Sequence, residues 1–280
     1  MSKQDFAIVN QWCVDEGWNL GMYDSGIYHH VDPSGHFLFL KTDEPVGSIS
    51  LVRHKNDFCT VGPFIVNKKW RDLGIGKIIW QETVERLDSD VSILLYAVPE
   101  QTSRYQKAGF NVYFENHRWC LANREKCLLK TSADIKKIKL DNVQAISSYD
   151  EDIFQASRQR AFENLLNTSN SSGCFIGDKN DIQGFGFIRP CINGYRVGPL
   201  MAENLDIARQ LILALVQPVK NGSIFIDSPS TNLPFHKLMQ NLGFLKNAKY
   251  NTCAMIKGGA YKKIIEHLGR HFAIFSLEIG

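Results

Sequence analysis

The 280-residue sequence lacks the features that would place it in a membrane, outside the cell or on nucleic acid. It has no run of about eighteen apolar residues, so a membrane-spanning helix is not expected. Its first residues, MSKQDFAIVNQW, contain no apolar signal-peptide core. Its net charge of +3 is too small to favour nucleic acid as a partner. We therefore expect a cytoplasmic protein that binds neither membrane nor nucleic acid, and the sequence leaves its oligomeric state open.

The sequence also lacks any C-x-x-C motif. Its seven cysteines are an odd number and are scattered along the chain. Without a secretion signal, this pattern favours free thiols over disulfides or a zinc site, and we expect no bound metal. The remaining composition, 44% hydrophobic and 22% charged, is that of an ordinary globular protein with one large domain or two smaller ones.

Two common phosphate-binding motifs are missing, but a related pattern is present. Neither the P-loop G-x-x-x-x-G-K-[ST] nor the three-glycine G-x-G-x-x-G occurs. Instead, an apolar strand over 61–66 leads through a basic turn and the run RDLGIG, 71–76, into a helix predicted over 77–87. A helix start with glycines exposes unpaired amides and the positive end of the helix dipole. Arg71 and Lys77 add positive charge, so this stretch predicts an anion site.

The pattern R-x-x-G-x-G after a strand that ends in valine resembles the acyl-CoA pyrophosphate signature of the GNAT acetyltransferase superfamily. A second signature follows at the expected distance, because Tyr105 to Phe110 reads Y-x-x-x-G-F after a strand over 91–98. One departure is Lys68, which stands where the family often has proline. The resemblance implies that acetyl-CoA is the acetyl donor and assigns its binding to Phe64, Ile65, Val66, Arg71, Asp72, Leu73, Gly74, Ile75, Gly76 and Lys77.

The order of predicted elements restarts near residue 131. VGPF at 61–64 and VGPL at 197–200 each precede a helix, which indicates an internal repeat. We predict an α/β (α+β) fold of two GNAT-like domains, residues 1–130 and 131–280, each with a mixed, mostly antiparallel twisted sheet flanked by helices. The second copy has MAENLD at 201–206, with two carboxylates and no glycine, so we expect a degenerate domain that does not bind CoA.

Some predicted elements bear on the site. In the second half the pattern predicts one helix over 150–166 and strands over 195–200, 223–227 and 250–257. The tail predicts a helix over 262–268 and an edge strand over 272–277. In the first half, a closing strand over 111–121 completes the domain.

The resemblance also implies a division of labour in catalysis. Backbone amides of the strand over 64–66 hold the thioester and stabilise its oxyanion, and Tyr105 protonates the departing thiolate. A phenol has a pKa near 10, close enough to a thiol for this role. The alternative is that Tyr105 only packs against the cofactor.

The acceptor site and the general base are less defined. We name Trp18, Asp24, Arg196 and Asp227 as candidate acceptor-binding residues. Asp24 is either such a group or a helix cap, and Asp227 is either at a ligand site or in a turn that binds its own backbone. Arg196 in an apolar strand needs either Asp227 or a ligand carboxylate as its partner. The candidate bases are Asp24, His29, His30, Glu82, Asp227 and His236.

The predicted function is that of an acetyl-CoA-dependent N-acetyltransferase. Its acceptor would be a primary amine of a small molecule or of a peptide or protein, and the amine would attack the thioester directly. A competing hypothesis is a non-catalytic protein that binds acyl-CoA and regulates something else.

Overall fold

The computed structural model describes residues 1–55, 57–123, 134–259 and 266–280. The helices are α1 (Lys3–Asp15), α2 (Asp24–Val31), α3 (Ile75–Thr83), α4 (Thr102–Lys107), α5 (Val143–Phe154), α6 (Gln159–Leu166), α7 (Leu205–Val216) and α8 (Leu233–Asn241). The strands are β1 (His36–Lys41), β2 (Glu44–Lys55), β3 (Phe58–Val66), β4 (Ser92–Ala97), β5 (Asn111–Leu121), β6 (Ile135–Lys137), β7 (Ser172–Asp178), β8 (Asp181–Cys191), β9 (Gly194–Ala202), β10 (Ile224–Pro229), β11 (Leu245–Lys246), β12 (Thr252–Lys257) and β13 (His271–Ala273).

The described strands form one continuous mixed sheet. Its order is β1-β2-β3-β4-β12-β5-β10-β9-β8-β7-β6, with β11 on β5 and β13 on β9. The β3/β4 and β9/β10 pairs are parallel and the other pairs are antiparallel. The mixed, mostly antiparallel α/β fold predicted from the sequence is confirmed.

The two halves of the chain exchange a strand at the centre of this sheet. Strand β12 comes from the C-terminal half of the chain, but it lies between β4 and β5. Strand β5 comes from the N-terminal half and pairs with β10. Each side of the sheet is therefore completed by a strand from the other half of the sequence. The division at residue 130 stays a prediction, and β5 and β12 join the two halves through backbone hydrogen bonds.

Apolar side chains cover both faces of the sheet. Leu200 and Met201 are neighbours in β9 and so point to opposite faces. Leu200 packs in the cluster that contains most of α7, whereas Met201 packs with Phe162 of α6 and with Phe275 near the end of the chain. In the first half, Ile79 of α3 packs in a cluster with apolar residues of β2, β3 and β4. The helices therefore cover both faces of the sheet, and the place left for a site is where its strands separate.

Two predicted helices differ from the structure. The single helix expected over 150–166 is broken into α5 and α6 at Gln155, which takes a left-handed conformation. The break lets Arg158 fold back and donate two hydrogen bonds, of 2.8 and 2.7 Å, to buried Asp150. The central helix begins at Ile75 rather than at 77 and ends at Thr83, followed by a 3-10 turn.

The tail also departs from the prediction of an edge strand over 272–277. Strand β13 ends at Ala273, and the chain then leaves the sheet and turns inward, so that residues 274–276 and 278–280 are buried. Apolar residues that were expected to cover an edge instead fill the core. Most of the helix predicted over 262–268 lies outside the described residues.

Candidate active site

A cleft opens where strands β3 and β4 separate. Their parallel pairing runs from Phe58 opposite Ser92 to Val61 opposite Leu95, and then stops, although both strands continue. The resulting cleft has a volume of about 830 Å³ and reaches from the 71–77 loop to the exchanged strands. Cavities of this size and shape are typical of ligand sites.

Alternate residues of β3 direct their backbone amide and carbonyl groups towards this cleft. Val46 of β2 accepts a hydrogen bond of 3.0 Å from the amide of Asn67. Because hydrogen-bonded and non-bonded pairs alternate in an antiparallel ladder, Ile65 pairs with β2, whereas Phe64 and Val66 turn their amides and carbonyls towards the cleft. Two of the three predicted residues of this strand thus present polar backbone groups to a ligand.

The loop before α3 forms the outer end of the cleft. Gly74 takes φ +79°, a left-handed conformation that favours glycine, and it is the N-cap of α3. The amides of Lys77 and Ile78 both bond to the Gly74 carbonyl. Within the described residues, the amides of 72–76 donate to no protein acceptor. These amides lie at the positive end of the helix dipole, which is the arrangement expected of an anion site, and the binding of an anion there stays a prediction.

Arg71 makes contacts that the sequence did not predict. Its Nη2 donates to Glu16 Oε1 at 2.8 Å and its Nε donates to the Val66 carbonyl at 3.1 Å. Lys68 Nζ lies 3.3 Å from the same carboxylate. Burial opposes ionisation of Glu16, but these two cations hold its pKa below the usual range. The end of α1 thus supplies a carboxylate that competes with any phosphate for Arg71.

Tyr105 lies on the wall of the cleft opposite β3. Its ring packs on Trp80 at 5.5 Å and on Phe110 at 6.0 Å between centroids, and Trp80 in turn meets Phe64. Burial raises the pKa of Tyr105 to about 12, so the phenol stays protonated at neutral pH. A buried phenol that carries its proton can donate a hydrogen bond to negative charge that forms in the cleft, although its raised pKa makes it a weaker acid than a free phenol.

The inner end of the cleft contains a buried cluster of charge. Arg118 Nε and Nη2 donate to Asp227 Oδ1 and Oδ2 at 2.7 and 2.8 Å, and Arg196 Nη2 donates to the same carboxylate. Arg196 Nη1 also donates to the Asn19 carbonyl at 2.8 Å. The expected Arg196–Asp227 pair is confirmed. Sequence reasoning missed Arg118, because polar residues precede it in β5 and an arginine there does not stand out as Arg196 does in its apolar strand.

Asp227 is not placed to act as a base. Burial would raise its pKa, but Arg118 and Arg196 hold it below the usual range. Its carboxylate is fully bonded to these two guanidinium groups rather than to its own turn. Asp227 therefore fixes the two arginines, and both of these line the cleft together with Trp18.

Asp24 does not line the cleft, so the structure does not support it as an acceptor-binding residue. It is buried and accepts from Arg189 Nε and Nη2 at 2.8 and 3.0 Å, and from the amide of Gly21 at 3.1 Å. It is the first residue of α2 rather than its N-cap, which is Tyr23. Burial opposes ionisation, but Arg189 holds the pKa of Asp24 below its usual range.

The other predicted bases lie elsewhere. Glu82 pairs with Arg86 on the exposed side of α3, and the imidazole of His236 meets Ser228 and the Pro229 carbonyl. His29 and His30 do not line the cleft either. A carboxylate that does line it is Glu278, which is buried, and sequence reasoning missed it because it follows the edge strand predicted over 272–277, which gave no reason to place it at a site.

At the equivalent helix start in the second half of the chain, that of α7, the first amides already have hydrogen-bond acceptors within the protein. The side chain of Asn204 accepts from the amides of Asp206 and Ile207, both at 3.1 Å. Glu203 pairs with Arg270. With its amides capped from within the protein, this helix start offers no counterpart of the loop at 72–76.

Comparisons with known proteins identify the class of protein. Two family models, each described as "Acetyltransferase (GNAT) domain", match residues 16–118 and 146–268. The chain belongs to the GNAT acetyltransferase family and carries two such domains in tandem. Among the described residues, no helix has the length and apolar character needed to cross a bilayer.

One curated relative and two solved structures show what the chain is similar to, and the structures share its fold. The chain is 28% identical over its whole length to the holothin acyltransferase of a Pseudoalteromonas strain, and covers 92% of that protein. The structure of a candidate acetyltransferase of Pyrococcus horikoshii superposes with a TM-score of 0.77 at 22% identity, over 92% of this chain and 84% of that one. A tandem GNAT protein of the clavulanic acid pathway matches at TM-score 0.57 and 12% identity, over 84% and 86%.

Proposed function

We propose that the protein is an N-acyltransferase that moves an acetyl group from acetyl-CoA to a primary amine by direct attack. The observation that carries the proposal is the set of amides at 72–76, which donate to no acceptor in the part of the chain that the structure describes and lie at the mouth of the gap between β3 and β4. A diphosphate bound there would direct the rest of CoA into the gap. Its thioester would then reach the polar backbone groups of Phe64 and the amide of Val66, whose carbonyl already accepts from Arg71.

The chemistry follows from what surrounds that gap. An amide of β3 would stabilise the oxyanion that forms when the amine attacks the thioester carbon. Tyr105, on the opposite wall, would give its proton to the leaving thiolate. Its raised pKa keeps the phenol neutral until negative charge develops on sulfur.

The acceptor would enter from the inner end of the cleft. There the walls include Trp18, Arg118, Arg196 and Glu278, of which the last three are buried. Such a buried end accommodates a small amine better than the surface of a folded protein. The relative named as a holothin acyltransferase favours a discrete small acceptor over a protein.

The first test combines an amine panel with the substitution Tyr105→Phe. We expect acetyl-CoA to release its thiol only when an accepted amine is present, and Tyr105→Phe to lower kcat by about 100-fold or more while leaving CoA affinity within about threefold. Tyr23→Phe, at an exposed tyrosine outside the cleft, is the matched control.

The same measurements separate this function from the competing hypothesis. A non-catalytic acyl-CoA-binding protein would bind CoA but release no thiol with any amine, and Tyr105→Phe would change nothing. Failure to bind CoA at millimolar concentration would contradict both hypotheses.

A further inference from the structure

The last residues of the chain place a carboxylate at the inner end of the cleft. After β13, the amide of Ile274 bonds to the Asp227 carbonyl at 3.0 Å, and the chain then runs towards β3. A Cβ built on Gly62 would lie 3.2 Å from the Leu277 carbonyl oxygen, 3.4 Å from Glu278 Cα and 3.6 Å from Glu278 Cγ. Glu278 thus packs against β3 one residue beyond Val61, where β3 and β4 begin to separate.

A single hydroxyl joins Glu278 to a second carboxylate. Tyr28 Oη lies 2.7 Å from Glu278 Oε2 and 3.0 Å from Asp24 Oδ2. One hydroxyl carries one proton, so it can donate to only one of the two. When Tyr28 donates to Asp24, the short contact to Glu278 requires a proton on Glu278. When Glu278 is ionised, Tyr28 can turn its proton to it, because Asp24 keeps its bonds from Arg189 and Gly21.

The surroundings favour Glu278 as the carboxyl that gains and loses the proton. Burial and the nearby charge of Asp24 raise the pKa of Glu278, while the Tyr28 hydrogen bond and Arg196 partly oppose this. Arg189 of β8 keeps Asp24 ionised. Within the described residues, the thiol of Cys13 on α1 also interacts with Glu278, and burial keeps this thiol protonated by raising its pKa.

We propose that Glu278 is the general base that takes the proton of the acceptor amine, and that Tyr28 is its positioning residue. Of the two buried carboxylates Asp227 and Glu278, the former is bonded by two guanidinium groups, whereas the latter is bonded by the neutral hydroxyl groups of Tyr28 and Ser276. The inference rests on the proposed acyl transfer and supplies the general base, which that proposal did not name.

The step balances without any further reactant. The amine nitrogen forms a bond to the thioester carbon, the carbon–sulfur bond breaks, and the nitrogen gives one proton to the Glu278 carboxylate. Tyr105 gives its proton to the thiolate. The products are the amide and the free CoA thiol, and the two side chains return to their starting states when one proton passes through solvent from Glu278 to the Tyr105 phenolate.

The pH dependence has a defined sign. Glu278 works only when it is ionised, so kcat/KM should fall as pH drops through its pKa. Since Tyr28 donates to the ionised carboxylate and thereby lowers that pKa, Tyr28→Phe should move this acidic limb to higher pH. A purely structural role of Tyr28 would lower activity equally at every pH.

The test measures kcat and KM against pH for the wild type, Glu278→Gln, Glu278→Asp and Tyr28→Phe with an amine from the panel. We expect Glu278→Gln to lower kcat by about 100-fold or more and to abolish the acidic limb, with the KM for acetyl-CoA unchanged. Glu278→Asp should recover part of the rate, and Glu151→Gln, at an exposed carboxylate on α5, should match the wild type.

The outcomes distinguish this proposal from the function on which it rests. Wild-type turnover that Tyr105→Phe slows, but that Glu278→Gln leaves within about threefold with an unchanged pH profile, would overturn the role of Glu278 alone. Absence of wild-type turnover with every amine would overturn the proposed function, and this role with it. If Glu278→Gln does not fold, an unshifted acidic limb in Tyr28→Phe overturns the proposal by itself.

Discussion

The buried carboxylate of Asp227 offers the most direct test of how the two halves of the chain are joined. It accepts hydrogen bonds from Arg118 of β5 and from Arg196 of β9, and so connects a strand of the N-terminal half with strands of the C-terminal half. Asp227 is 2% exposed, and the two arginines are 4% and 5% exposed. Asp227→Asn keeps the shape of the side chain but removes its charge, which leaves two buried cations without their anion.

The expected cost is large because neither guanidinium can recover hydration. Removing one partner of a buried ion pair typically costs about 3–5 kcal/mol. At roughly 2–4 °C per kcal/mol for chains of this size, the midpoint of thermal unfolding should fall by roughly 6–20 °C. Glu44→Gln is the matched control, because its pair with Lys69 is exposed, and exposed pairs contribute about 0–1 kcal/mol.

The dependence of folding stability on acidic pH gives a second test of the role of the Asp227 carboxylate. The folded protein holds the pKa of Asp227 below its usual value, which in the unfolded chain is about 3.9. Its stabilising contribution is therefore fully present above that value and is lost as pH falls through the folded pKa. Wild type should lose stability in that range and Asp227→Asn less so. A loss below about 1 kcal/mol at neutral pH in the urea unfolding of Asp227→Asn would refute this account.

The remaining predictions concern the anion site. Glu16→Gln removes the carboxylate that accepts a hydrogen bond from Arg71, so CoA affinity should rise by up to about fivefold. Calorimetry at low salt measures this affinity. An unchanged affinity would mean that Arg71 does not contact the phosphates. Gly74→Ala imposes a left-handed penalty of about 1–2 kcal/mol, so CoA affinity should fall by roughly 5–30-fold, whereas Gly26→Ala in α2 should leave it unchanged. Equal affinities of these two glycine variants would contradict the role of the loop.

The strand, loop and helix over 61–87 could be predicted because their signals are local. The apolar run, the two glycines and the helix start are properties of adjacent residues. The strand begins three residues before its predicted start, and the helix begins two residues before its predicted start and ends four residues before its predicted end. The capped start of α7 is also local, since Asn204 bonds amides two and three residues away. The partner of Arg196 was among the alternatives because a buried guanidinium requires an anion.

The sequence by itself determined the strand, the glycine-containing loop and the helix start that follows it, and the repeat that makes the second half a related unit, because each depends on neighbours along the chain. Tyr105 was named from the family resemblance, and the structure has it in the lining of the same cleft. Only the tertiary structure decided that β5 pairs with β10 and β12 with β4, each in the other half of the chain. It also decided the hydrogen bonds of Glu16 with Arg71 and of Glu278 with Tyr28. That last contact joins residues 250 positions apart. Contacts of this kind leave no periodicity or spacing in a single sequence, because they arise only when distant strands are brought together by the packing of the sheet.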